Sequence, residues 1–527
     1  VNRFRFTRIL LLSFLISLIV GGLASAQDEK VLVIGHAEAT DSLDPARGYN
    51  QTTGIITQVT YDTLVTFPDD SAASIEPRLA TEWSVSEDGL TYTFTLREGV
   101  TFSNGDPLTA EDVVFSFERL ANIDGSPSFL ADNIASVEAP DDGTVVITLN
   151  AVDPAFLVKL TNGAFSVVNA DEVIANGGSA ADDAATTDTA EAYLNSTSAG
   201  TGPYILERWE PQVETVMVRN PNYWGEQPYF DRVIITNLPE AATQKVALES
   251  GEIDLALDLT SDQIIALEGT EGITIASNPG VIVHFLLMNN DPEIGGPVSN
   301  PLVQLAIRYA LDYEGYQALW GGITPGSIMA VGLQTAMGPE TAFTRDLDRA
   351  RELLAEAGYP DGFDITLDYP NFTFQGVNME TNAQKIQADL AEVGINVSLA
   401  PSELQVGLEQ YRTGNQGFSY WFWGPDILDP SDTLSFVPGG KVAAERARWT
   451  LDGESEETVA LIERASIETD PEARAEIFTQ LQEFLRENGR FAPFLQPNVQ
   501  TAFRADLQGY VWHPQWLLDV SILSRAE

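Results

Sequence analysis

The chain has 527 residues, 44% of them apolar and 9% aromatic, which is material for several hydrophobic cores and argues against a disordered chain. Acids outnumber bases 77 to 28, and a net charge of −49 repels phosphate backbones and anionic headgroups, which disfavours nucleic-acid and membrane-surface roles. With no cysteine there is no disulfide, thiolate metal site, cysteine nucleophile or lipidated N-terminal cysteine, so stability must come from core size. The acidity itself is read as a solvated surface.

In chain order, Arg3, Arg5 and Arg8 precede the uncharged run Ile9 to Val20, and Ala24 and Ala26 follow in an A-x-A arrangement. That is the layout of a secretory signal cleaved after Ala26, and the run is too short to span a bilayer. Removing residues 1–26 would take away three arginines and no acid, moving the charge from −49 to −52. The expectation is an exported protein.

VLVIGH (31–36) reads as a buried strand. Asp88-Gly89 marks a turn, after which Tyr92, Phe94 and Leu96 alternate with threonines, as in a hairpin with one buried face. Thr109 and Asp112 then resemble a capping box that opens a helix striped by Val113, Phe117 and Leu120. A second hairpin surrounds Asp142-Gly143. GGSAADDAATTDTA (177–190) is small, polar and aperiodic, and reads as a surface insertion. Strands are expected on both sides of Glu210-Pro211 and over 232–238.

Farther on, Asn300-Pro301 starts a helix with Leu302, Ala306, Tyr309 and Tyr313 on one face. Two more helices end on Gly358 and Gly394, where a left-handed cap is needed, and Asp470-Pro471 opens a last one, with Ile477, Leu481 and Phe484 inward, closing at Gly489. The pattern is intertwined α/β lobes with no repeat period.

Catalytic motifs are scarce. His36, His284 and His513 stand apart, and each reads as a structural residue; phosphate-loop, nucleophile-elbow and calcium-loop spacings do not occur. The enzymatic alternative is a glycoside hydrolase that would pair Asp426 with Asp429 beside tryptophan platforms, although paired acids arise easily in so acidic a chain.

Long stretches carry a resemblance. PRLATEWSVSEDGLTYTFTLREGVTFSNGDPLTAEDVVFSFERL (77–120), SLDP (42–45), GTGPYILERWEPQVETVMVRNPNYWGEQPYFDRV (200–233) and SGEIDLAL (250–257) resemble family 5 extracellular solute-binding proteins, the peptide/nickel class serving ABC importers. VQLAIRYALDYEGY (303–316), DRARELLAEAGYPDGFDITL (348–367) and AQKIQADLAEVGINVSL (383–399) continue it in order.

The resemblance implies an α/β, two-lobed periplasmic-binding-protein-like (type II, cluster C) fold with an extra domain, hinged around a central cleft. Residues 27–75, 196–280 and 496–527 would build one lobe, 76–195 the extra domain and 281–495 the second lobe. It implies a monomeric periplasmic receptor that is not an enzyme, has no cofactor or metal, and hands a peptide-like solute to membrane permease subunits. An oligosaccharide, an opine or chelated nickel is the alternative cargo.

Peptide-binding members carry Trp-x-x-Asp where this chain has Trp423, Gly424, Pro425 and Asp426, the acid pairing with the ligand's α-ammonium group. If 420–423 is extended, Trp421 and Trp423 face one way and would form an aromatic wall, while Tyr420 and Phe422 face the other. The competing reading puts both tryptophans in the core. Asp429 reads as turn chemistry. Glu38, Ala39 and Thr40, past the first strand, are the candidate main-chain contacts. Dipeptide-specific relatives also carry an arginine for the ligand carboxylate, but 371–380 has none, leaving Arg412 and Arg47 as candidate substitutes.

Overall fold

The computed structural model describes residues 29–374 and 376–526; the expected leader, 1–26, lies outside them. Among the described residues no helix is long and apolar enough to cross a membrane.

A seven-stranded sheet organises the first lobe. Its order is Ile273–Pro279, Asn498–Arg504, Leu255–Ala256, Val31–His36, Arg232–Asn237, Glu214–Arg219 and Tyr204–Glu210. Val31–His36 runs parallel to Arg232–Asn237 and to Leu255–Ala256. Its Leu32 and Ile34 are fully buried, beneath Ile55, Ile56 and Val59 of the helix Gln51–Thr60. That helix is capped by Asn50, whose side chain accepts from the Thr53 N–H.

A four-stranded antiparallel sheet, Ala80–Val85, Thr91–Leu96, Thr144–Leu149 and Ile134–Asp141, packs against the helix Ala110–Asn122. Both expected hairpins are present. Thr109 and Asp112 close a capping box at the helix start, and Val113, Phe117 and Leu120 point into the core. Residues 177–190 run mostly at the surface, as composition suggests, but three positions pin the segment to the core. Ala184 and Ala190 are fully buried, and Asp188 accepts from the Arg119 guanidinium at 2.8 Å. Arg119 also donates to both Asp44 oxygens, at 2.8 and 2.6 Å. The SLDP acid therefore ties the first lobe to this sheet-and-helix unit through a buried ionic cluster.

The second lobe holds a five-stranded mixed sheet in the order Ile395–Ser402, Phe363–Pro370, Phe418–Trp423, Val283–Met288 and Phe491–Leu495. Pro301–Ala310 is a helix capped by Asn300, but it stops before Leu311, and Tyr313 starts a separate helix, Tyr313–Trp320, capped by Asp312. The single face expected from the sequence therefore spans two helices. Gly358 and Gly394 have φ of 92° and 88°, the left-handed conformation their helix ends require.

The chain passes between the two large sheets twice, between Pro279 and Val283 and between Leu495 and Asn498. The crossings are joined side by side: the Gln496 side chain donates to the Gly280 carbonyl at 2.6 Å, and the Gly280 N–H donates to the Pro497 carbonyl at 3.3 Å. Two short connecting segments side by side between lobes are hinge geometry.

Candidate functional site

Between the lobes lies a cavity of about 230 Å³. Tyr49, Gln51 and Gln58 line it from the first lobe, Asn162 from the chain that follows the four-stranded sheet, and Ile282 and Asp426 from the second lobe. The strand Phe418–Trp423 ends here, and its outgoing loop Gly424–Asp426 forms the wall. A Cβ at Gly424 would sit 2.5 Å from Ile282 Cδ1, so a larger residue there would have to turn the Ile282 side chain.

Asp426 is the acid at this wall. Its Oδ1 lies 3.4 Å from the Tyr49 hydroxyl, which donates across the cleft. Burial raises its pKa, partly offset by Tyr49 and by the cations Arg446 and Lys441 behind it. Asp432 stands next to it, accepting from the Trp423 Nε1–H at 2.9 Å and from the Asp426 N–H at 3.2 Å. Burial and the neighbouring Asp426 push the Asp432 carboxyl up to about 7. The pair is a reservoir of negative charge that a cation would stabilise and that protons otherwise neutralise.

The two tryptophans correct the expected aromatic wall. Trp421 is 2% exposed, stacked on Tyr411 with centroids 4.4 Å apart, and donates Nε1–H to Gln416. The side chains alternate as expected, but the strand is central and both faces of its sheet are covered, so Tyr420 and Trp421 enter opposite cores. Trp423 packs edge-on against Phe436 and holds Asp432; it supports the acid instead of walling the cavity. Asp429 caps the 3₁₀ turn Pro430–Phe436 and pairs with Arg474, as turn chemistry requires.

Glu38, Ala39 and Thr40 are not brought to Asp426. They line a separate pocket of about 20 Å³ on the first lobe, with the Glu38 carbonyl accepting from Thr52 Oγ1 and the Ala39 carbonyl from Asn50. The candidate arginines are also elsewhere. Arg47 faces Asp44 and Asp188, and Arg412 is exposed at a helix end outside the cavity lining.

Residues that carry no sequence motif line a second cavity beside the first. A second cavity, about 30 Å³, shares Gln51 with the first and touches both lobes through His36, Asp258, Trp512, Trp320 and Val377. His36 Nδ1 lies 2.6 Å from Asp258 Oδ2. Burial opposes the imidazolium, but Asp258 outweighs it and the His36 pKa is raised; Asp258 is lowered by the same contact against its own burial. The other two histidines are structural: burial pushes His284 down to about 3 and His513 to about 4. On the far side of the first cavity, past Leu428, opens a groove of about 670 Å³ lined by Tyr92, Leu157 and Ile467.

This architecture matches known proteins. The model of the bacterial extracellular solute-binding proteins, family 5, middle region, fits residues 74–443. The probable D,D-dipeptide-binding periplasmic protein DdpA of Escherichia coli is 28% identical over 520 residues, covering 95% of each chain. Heme-binding protein A of Haemophilus influenzae is 28% identical over 487 residues, covering 87% of this chain and 85% of its own. The solved structure of the ABC transporter-associated periplasmic binding protein DppA from Helicobacter pylori, in complex with the peptide STSA, superposes with a TM-score of 0.76 at 27% identity, over 95% and 99% of the two chains. The chain belongs to the bacterial extracellular solute-binding proteins of family 5.

Proposed function

We propose that this protein is an exported receptor that captures a peptide-like solute between its lobes and passes it unchanged to an ABC importer permease. The observation that carries the reading is the 230 Å³ cavity reached by both lobes, with the half-buried Asp426 facing Tyr49 across it. A desolvated carboxylate there is a ready partner for an α-ammonium group. The adjoining groove gives a solute longer than a dipeptide a path outward.

Gly424 and Asp426 are the ligand contacts in this reading, with Tyr49 opposite. The relatives, a D,D-dipeptide-binding periplasmic protein and a peptide complex of an ABC transporter-associated periplasmic binding protein, support peptide cargo and a periplasmic location. We assign residues 76–195 to the extra domain and 281–495 to the second lobe, and read the protein as a monomer without catalytic activity.

Titration calorimetry with a panel of di- to pentapeptides, followed by mass spectrometry of the recovered ligand, tests this. Saturable heat with intact peptide is the expected outcome. Cleaved peptide would replace the receptor reading with a hydrolase, and heat only from oligosaccharides would replace the cargo class.

A further inference from the structure

Two buried ring nitrogens of residues that line the second cavity have no hydrogen-bond partner. His36 is 2% exposed, its Nδ1 is committed to Asp258, and its Nε2 has no hydrogen-bond partner. The Trp512 Nε1 atom is also buried and unpartnered. Both residues line the same cavity of about 30 Å³, more than one water-sized group occupies. An unsatisfied buried donor is costly, so two around one space mark a place for an acceptor.

The imidazole is held in place. Asp258 Oδ2 also accepts from the Ala37 N–H at 2.7 Å and lies 3.3 Å from Gln244 Nε2, which fixes the carboxylate and through it the ring. With Nδ1 used, Nε2 is the nitrogen left for a partner, and it is a donor when the ring is protonated. Asp258 and Glu38 both favour that state, outweighing burial. Among the described residues lining the two cavities there is no lysine or arginine, so His36 is the cation available there. It sits at the carboxyl end of a parallel strand, where α/β lobes receive ligands.

We propose that His36 and Trp512 form a carboxylate subsite: the solute's carboxylate accepts from His36 Nε2–H and Trp512 Nε1–H while its cationic end lies toward Asp426. This rests on the peptide-receptor reading and specifies how such a receptor holds the anionic end without an arginine.

The test offers the full exported chain a pool of di-, tri- and tetrapeptides, each as free acid and as C-terminal amide, and reads retained species by native mass spectrometry. Wild type is expected to retain acids over amides by about tenfold or more, the worth of one charge-assisted hydrogen bond. Trp512→Phe, which removes one N–H and keeps a ring, and His36→Gln are expected to erase most of that preference while amide retention holds. Equal retention of acids and amides by wild type overturns the subsite, as does a parallel loss of both forms in the variants, the mark of a merely structural role. Should His36→Gln fail to fold, Trp512→Phe decides alone. Retention of no peptide in either form overturns the peptide reading itself, and the subsite with it.

Discussion

The Tyr49 hydroxyl and Asp426 Oδ1, 377 positions apart in the chain, meet at 3.4 Å across the cleft between the lobes. The contact is long for an O–H···O bond and leaves the carboxylate accessible from the cavity. A cation entering the cavity would meet an acid whose desolvation is already in place.

Asp426→Asn is therefore expected to weaken a cationic peptide by roughly 2–4 kcal/mol, because a buried ammonium loses its charged partner. Tyr49→Phe should change affinity by less than about 1.5 kcal/mol, because its 3.4 Å contact with the carboxylate is too long to be a strong hydrogen bond. Calorimetry with one peptide against both variants checks the ranking. Unchanged affinity in Asp426→Asn would make that residue structural.

Proton linkage gives a second expectation. Asp432 is pushed up to about 7 and Asp426 is raised, both by burial. A bound ammonium stabilises the ionised forms, so uptake of a cationic peptide near pH 7 should release protons. Binding heats measured in two buffers of different ionisation enthalpy should differ accordingly, and identical heats would contradict it. In the free protein, raised carboxyls stabilise the fold below their unfolded pKa near 4, and that contribution is lost as pH rises toward about 7. Asp432→Asn should flatten that part of the stability–pH curve.

The His36–Asp258 pair works in the opposite sense at its two ends. The raised histidine stabilises the fold at pH below about 6.5 and loses that effect as pH rises through its folded value; the lowered Asp258 stabilises above about 4 and loses that effect as pH falls. The destabilisation of His36→Gln, followed by urea unfolding, should be largest between about pH 4 and 6.5 and smaller at pH 9. A pH-independent difference would mean that packing, not charge, sets the role of His36.

Arg119 offers a test of the fold. It is 2% exposed and bridges Asp44 and Asp188, so Arg119→Ala should cost about 3–5 kcal/mol by leaving two buried carboxylates only their longer contacts to Arg47. Chemical denaturation is the readout. Arg119→Met with Asp44→Asn should recover part of the loss, because the second change removes one stranded charge.

Local pattern made much of the fold legible. The threonine-alternating hairpin, the Thr109–Asp112 capping box and the glycines at 358 and 394 express backbone chemistry within a few residues. The site was less legible. Alternation at Tyr420–Trp423 told which side chains share a face, but not that both faces of that strand are covered, so Trp421 became core. His36 looked unremarkable because its partner lies 222 positions away, and no spacing rule connects them. Likewise 177–190 reads as polar filler until Asp188 is seen against Arg119.

A crystal structure of the protein purified from its own host with its solute retained tests the central claim most directly. The account predicts solute density between Tyr49 and Asp426, with a cationic group at that carboxylate and the molecule chemically whole. Solute bound elsewhere, with Asp426 facing an unfilled cavity, would contradict it.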